Sequence, residues 1–210
     1  MTIHELASLI YEDLNGLITS ARGTERGFEV VYECDHWRDH DSRVAFLLRC
    51  SGVAESTVTP RASDDLHWTD DHPVLHDHNS EHGILYFSSR PANPHEIVGR
   101  LCQAHETFYG GWREFREYVN TCGDTITILG NGSGVLAEGP LSLLREFEGA
   151  LAGLLATNIV ETPRRFGDYG NYKALLFDES FVVCRECEVE PWPNEAFHPT
   201  GGTGAATAGG

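Results

Sequence analysis

Residues 28–50 read FEVVYECDHWRDHDSRVAFLLRC, and the reading of this stretch decides the fold class. Two runs, 28–37 and 43–50, are rich in β-branched, aromatic and leucine side chains, with the polar RDHDS between them. A short polar connection between two such runs predicts a hairpin, because a parallel crossover needs a dozen residues or more. The sheet therefore begins with antiparallel neighbours.

Upstream, Thr2 and Glu5 match the T-x-x-E capping box. Ile3, Leu6, Ile10, Leu14 and Leu17 follow at spacings of three and four, which predicts a first helix ending near Gly16 or Gly23. Downstream, 52–59 continue the second strand or add a short third one before Pro60. Residues 61–82 show neither helical nor strand periodicity and read as a long loop, which is usually functional or mobile. A strand follows at 83–88.

A second helix starts with Asn93 as N-cap, Pro94 at N1 and Glu96 at N3. Its apolar face is Ile97, Leu101, His105, Phe108, Trp112, Phe115 and Val119, and Gly110-Gly111 is expected to bend or break it. Residues 124–129 and 135–138 read as a hairpin turning at GNGSG, because N-G marks such turns. A third helix is predicted over 140–156, with Leu143, Leu144, Phe147, Leu151 and Leu154 inward. A final hairpin joins 173–177 to 181–190 through DES. Hairpins interspersed with helices predict an α+β fold, mainly antiparallel, with about three helices packed on one face.

The 210 residues, 40% of them apolar, suit one globular domain over 1–198. The Gly-, Ala- and Thr-rich stretch 199–210 has the composition of a flexible tail. No apolar run approaches the roughly 18 residues that span a bilayer, and the N-terminus lacks the features of a signal peptide, so the expected location is the cytoplasm. Six cysteines are too few for a disulfide scaffold and are expected to be thiols, with Cys34, Cys50 and Cys102 as small buried apolar groups.

Charge narrows the function classes. Fifteen Lys and Arg stand against 32 Asp and Glu, a net of −17, which repels nucleic acid and anionic membrane and favours a basic protein partner. Protonating all eleven histidines would bring the net to roughly −6, so the electrostatics are strongly pH-dependent.

Five of those histidines lie in residues 67–82, HWTDDHPVLHDHNSEH. If this segment is extended, His76 and His78 point the same way. Glu81 or His82 then adds a third ligand and leaves a position open for water, as in hydrolytic zinc sites. Asp77 is a further candidate ligand or general base. The spacing is one residue longer than the H-x-H-x-D-H of metallo-β-lactamase-like hydrolases and also departs from the cupin pattern, so it implies neither family. The competing reading is a solvated acidic loop. His105, on the apolar stripe, reads as a buried imidazole needing a partner, or as a ligand completing that site.

Cys184-Arg-Glu-Cys187 is a lone CxxC in a strand-like run, where positions three apart face opposite sides, so its thiols are expected to diverge. The glycines of 130–134 fit neither a dinucleotide fingerprint nor a Walker loop nor a nucleophile elbow.

Aromatic rings beside carboxylates form the remaining candidate site. They are Trp37 in WRDH, Trp68 with Asp70 and Asp71 in WTDD, and the pair Tyr169 and Tyr172. Such groups suit a protein-binding patch, although rings at these places also cap core edges. The leading expectation is a non-enzymatic protein that binds a basic partner through Trp37, Trp68, Asp70 and Asp71. It resembles small acidic immunity proteins in size and charge, with no shared motif. On this reading no cofactor is expected. The alternative is a metal-dependent hydrolase or metal-binding protein that holds a divalent transition metal such as zinc on His76, His78, His82 and Glu81.

Overall fold

The computed structural model describes residues 1–119, 123–162 and 170–193. They form an α+β fold with antiparallel pairing throughout, arranged as three sheets rather than one. The hairpin at 28–50 is present, and it forms part of a longer meander. β1 (Leu17–Thr24), β2 (Gly27–His36) and β3 (Asp39–Ser51) pair in sequence. β5 (Arg61–Ala62) extends this sheet beyond β1, and β12 (Glu186–Pro191) extends it beyond β3.

The second sheet runs β4 (Glu55–Ser56), β11 (Ser180–Cys184), β10 (Lys173–Phe177), β6 (His67–Thr69). The third runs β8 (Gly134–Pro140), β7 (His82–Phe87), β9 (Thr157–Thr162).

Strand alternation explains how the layers pack. Val30, Tyr32 and Cys34 of β2 and Phe46, Leu48 and Cys50 of β3 share a core with Leu175, Phe177, Val182 and Cys184 of the second sheet. The intervening residues of that sheet, Ala174, Leu176, Phe181 and Val183, point the other way and are buried under Val74 and Leu75. Both faces of β10 and β11 are therefore covered, which is why both strands read as continuous apolar runs. The third core joins Leu85 and Phe87 of β7 and Leu136 of β8 to helices α3 (Pro94–Tyr109), α4 (Thr125–Asn131) and α5 (Leu141–Ala150).

Five α-helices lie among the described residues, where the sequence predicted about three. The first helix is the largest departure. Its capping box is present, but α1 spans only Ile3–Ala7, with a 3-10 turn at Glu12–Leu14 before β1. Asn15 turns left-handed at φ 47°, and Gly16 lies so close to its neighbours that a Cβ there would come 2.0 Å from the Ser63 carbonyl. The spacing of Ile3, Leu6, Ile10 and Leu14 reflected burial on one core, not a continuous helix.

The predicted strand at 124–129 is helix α4. Asp124 accepts from the Thr127 N–H at 2.8 Å, and Gly132 closes the far end at φ 83°. A cap worth about 1 kcal/mol and packing against β8 outweigh the β-preference of ITIL. The predicted GNGSG hairpin is thus the end of a helix. Residues 61–82 hold β5, β6, a 3-10 turn at Pro73–Leu75 and the short helix α2 (His76–Asn79). Leu154 is exposed and Leu155 is buried in its place. Cys102 is exposed, while Cys34 and Cys50 are buried as expected.

The predicted strand 181–190 is broken at Arg185, where the chain leaves the second sheet for the first. This change of sheet brings the CxxC thiols onto the same core instead of letting them diverge. No helix among the described residues is long and apolar enough to cross a membrane. Tyr169, Cys122 and the tail 199–210 lie outside the described residues.

Candidate functional site

α3 ends where the sequence marks it. Gly110 and Gly111 take φ 58° and 86°, a left-handed pair that turns the chain back sharply. The turn places Trp112 against Phe181 of β11, with ring centroids 6.2 Å apart, and the Arg113 guanidinium over that same Phe181 ring at 5.3 Å. Arg113 thereby reaches the second sheet from the helical half of the molecule.

There it meets two carboxylates. Its two terminal nitrogens each donate at 2.7 Å to the two oxygens of Glu55, which projects from β4. Its Nε lies 3.1 Å from Asp77 Oδ2 of α2, an ion-pair contact off the hydrogen-bond line. The fork-to-fork geometry with Glu55 is the strong form of the Arg–carboxylate pair. Asp77 also accepts from the Tyr118 hydroxyl at 2.7 Å and the Tyr109 hydroxyl at 3.4 Å. Tyr118 is positioned by β8, because its carbonyl accepts from the Glu138 N–H at 2.9 Å.

The histidine-rich segment surrounds this cluster. His78 Nε2 lies 3.0 Å from Glu55 Oε2, and its ring leans on Tyr172 at 5.8 Å. His82 Nε2 lies 3.0 Å from the Asp77 carbonyl and therefore carries the proton. His76 turns the other way, its ring 4.7 Å from Phe108. The extended conformation expected for 76–78 is replaced by a helical turn. Successive positions there rotate by about 100°, so His76 and His78 separate instead of converging. Glu81 is exposed, and its backbone carbonyl accepts from the Leu141 N–H at 2.7 Å. Among the described residues no group of three or more His, Cys, Asp or Glu side chains is arranged to hold a metal ion.

Burial and pairing set the charge states here. Burial alone would raise the Glu55 carboxyl, but the His78 hydrogen bond and the Arg113 pair hold it down to about 2. Tyr118 and Tyr109 are pushed far upward, first by burial and then by the Asp77 charge. Arg113 stays charged: burial opposes this, and Glu55 and Asp77 outweigh burial. His105 lies buried 5.6 Å from the Tyr118 ring, with its Nε2 unpartnered among the described residues. Burial keeps its pKa below the usual histidine value, against the opposing pull of Glu106 and Asp77. A cleft of ≈ 320 Å³ opens over the cluster, lined by Glu55, Asp77, His82, Arg113, Tyr118 and Glu138 among others. Of the groups that line it, Glu55 is held down and Tyr118 pushed up, which disfavours these two for general acid–base work near pH 7.

The aromatic and acidic candidates fall in two places. Trp68 lies in β6, opposite Leu175, partly buried against the first core and with the Lys173 ammonium 5.7 Å from its ring. Asp70 and Asp71 follow on an exposed turn closed by Thr69, whose hydroxyl accepts from the Asp71 N–H at 3.0 Å. Beside them lies a cavity of ≈ 560 Å³ lined by Asp70, Asn79, Gly170, Asn171, Tyr172 and Lys173. Its floor is rigid, because the Asn79 side chain makes two hydrogen bonds with the Tyr172 backbone, at 2.8 and 3.0 Å. Trp37 belongs to a different edge, the tip of the β2–β3 hairpin, stacked on His36 at 4.5 Å. The structure therefore brings Trp68, Asp70 and Asp71 together and leaves Trp37 apart.

Arg113, Glu55, Tyr109 and Tyr118 escaped the sequence reading. The available signal was GGWREF, a single arginine two positions after a glycine pair and flanked by Trp112 and, one residue further on, Phe115, both of which belong to the apolar stripe. Comparison with known proteins returns no matching family model, no matching curated protein and no matching solved structure.

Proposed function

We propose that this chain is a binding protein rather than an enzyme, and that it receives a basic protein partner on the acidic turn at Asp70–Asp71. The supporting observation is a contrast between two sets of acids. Glu55 and Asp77 spend their charge on Arg113 inside the fold, whereas Asp70 and Asp71 are exposed and form no ion pair among the described residues. They stand beside a cavity with a fixed floor, and the Trp68 ring anchors the strand that carries them. Unpaired surface carboxylates on a rigid support steer association with cationic partners and make it salt-dependent.

The test is affinity capture with the immobilised full chain from extract of its own cells at low salt, followed by stepwise elution with salt. The same capture is run with the variant Asp70→Lys/Asp71→Lys. A basic protein retained by the wild type should elute as ionic strength rises, and the variant should bind it at least about tenfold more weakly while keeping its unfolding temperature. Capture that is indifferent to both charge reversal and salt removes the acidic turn as the contact. The metal-dependent alternative requires His76, His78 and His82 to leave the positions described above, and no observation favours it.

A further inference from the structure

Three thiols converge where the chain crosses from the second sheet to the first. Cys184 ends β11, the Arg185 N–H donates to the Ser51 carbonyl at 3.0 Å, and Cys187 then falls directly opposite Cys50 in the β3–β12 ladder. All three side chains belong to the core between the two sheets; Cys50 and Cys184 are fully buried and Cys187 is partly exposed. The neighbouring Cys184 and Cys187 thiols, reinforced by burial, push the Cys50 thiol well up, and the Cys187 thiol lies 3.9 Å from the Glu188 carbonyl. Directly opposed residues on an antiparallel pair hold their Cβ atoms about 4.5–5.5 Å apart. A disulfide needs about 3.5–4.5 Å, so closure asks for a small adjustment of the ladder. A cavity of ≈ 570 Å³, lined by Cys50, Arg26, Arg49 and Glu188 among others, lies at this end of the sheet.

We propose that Cys50 and Cys187 form a reversible cross-strand disulfide by exchange with a small-molecule disulfide, with Cys187 as the entry thiol. The Cys187 thiolate attacks one sulfur of the reagent, its S–S bond breaks, and the released thiolate takes up the proton Cys187 gave up. The Cys50 thiolate then attacks the Cys187 sulfur of the mixed disulfide. The second reagent thiolate leaves with the Cys50 proton. Two protein thiols lose two electrons, and one reagent disulfide becomes two thiols. Cys184 remains reduced. The bridge pins β12, an outer strand of the five-stranded sheet, to its neighbour.

The experiment exposes the folded full chain to oxidised glutathione, quenches in acid, and maps the non-reduced digest. The wild type should lose two hydrogens in mass and yield a peptide joining Cys50 to Cys187. Its unfolding temperature should rise by about 5–10 °C, and a reducing agent should reverse the rise. Cys50→Ala should keep a glutathione adduct on Cys187, and Cys187→Ser should leave both Cys50 and Cys184 reduced. If the Cys50 variant does not fold, the wild-type map and Cys187→Ser decide. A wild type that accumulates the Cys187 adduct with Cys50 still reduced overturns the proposal. So does a main product that joins Cys50 to Cys184.

Discussion

Replacing Arg113 with leucine is expected to destabilise the fold by about 3–5 kcal/mol, read from the urea midpoint and slope at pH 7. The magnitude follows from burial. The Arg113 side chain is 9% exposed, and its partners Glu55 and Asp77 are 30% and 18% exposed. Exposed ion pairs contribute about 0–1 kcal/mol, but removing one partner of a buried pair leaves the other charge in a poor solvent for it. Here two carboxylates would be left uncompensated together, with the Tyr118 and Tyr109 hydroxyls and the His78 ring as donors among the described residues. Adding Glu55→Gln and Asp77→Asn to the leucine variant should recover part of the loss, because the stranded charges go with it. A loss below about 1 kcal/mol would show that the cluster behaves as a surface pair.

The second large effect is acid lability, in two windows. His105 and His72 are both held neutral, principally by burial, at pKa values below the 6.5 they have when unfolded. The unfolded chain therefore binds more protons than the folded one as pH falls below about 6.5, and stability declines in that direction. Glu55 acts lower down. Its carboxyl moves from 4.5 to about 2 on folding, so its contribution is complete above pH 4.5 and disappears as pH falls toward 2. That contribution is on the order of 2–3 kcal/mol. Urea unfolding at a series of pH values should show both declines. His105→Phe should flatten the upper window and Glu55→Gln the lower one. Stability that stays level from pH 7 to pH 5 in the wild type would contradict the buried neutral His105.

The sequence revealed local structure where a residue acts through its own backbone. The Thr2–Glu5 capping box, Asn93 with Pro94, the Gly110-Gly111 break and the strand at β7 all stand as read. Errors arose where partners distant in the chain decide. Apolar spacing of three and four at Ile3–Leu14 fits a helix as well as a coil folded onto one core, and only the close approach of Gly16 to Ser63 separates them. ITIL at 126–129 has strand propensity, and its caps and tertiary packing make it a helix. Residues 181–190 alternate like one strand, yet the change of sheet at Arg185 puts Cys184 and Cys187 on the same core.

The candidate site followed the same division. The histidine-rich segment includes α2, whose Asp77 and His78 contact Arg113 and Glu55 where the sheets meet the helices. Its organising group is Arg113, some 30 residues downstream, reached through contacts that no local spacing encodes.

On the proposed reading residues 72–82 are a structural joint: Asp77 is held by Arg113, Tyr118 and Tyr109, His78 by Glu55, His82 by the Asp77 carbonyl and Asn79 by the Tyr172 backbone, and recognition is left to the acidic turn. Elemental analysis of full chain purified without a polyhistidine tag, beside the variant His76→Ala/His78→Ala, tests that most directly. The prediction is far less than one equivalent of any transition metal in either protein, with the variant less stable because Glu55 has lost the His78 bond. One equivalent of zinc, manganese, iron or nickel in the wild type, absent from a variant that still folds, would contradict it and make the segment a metal centre.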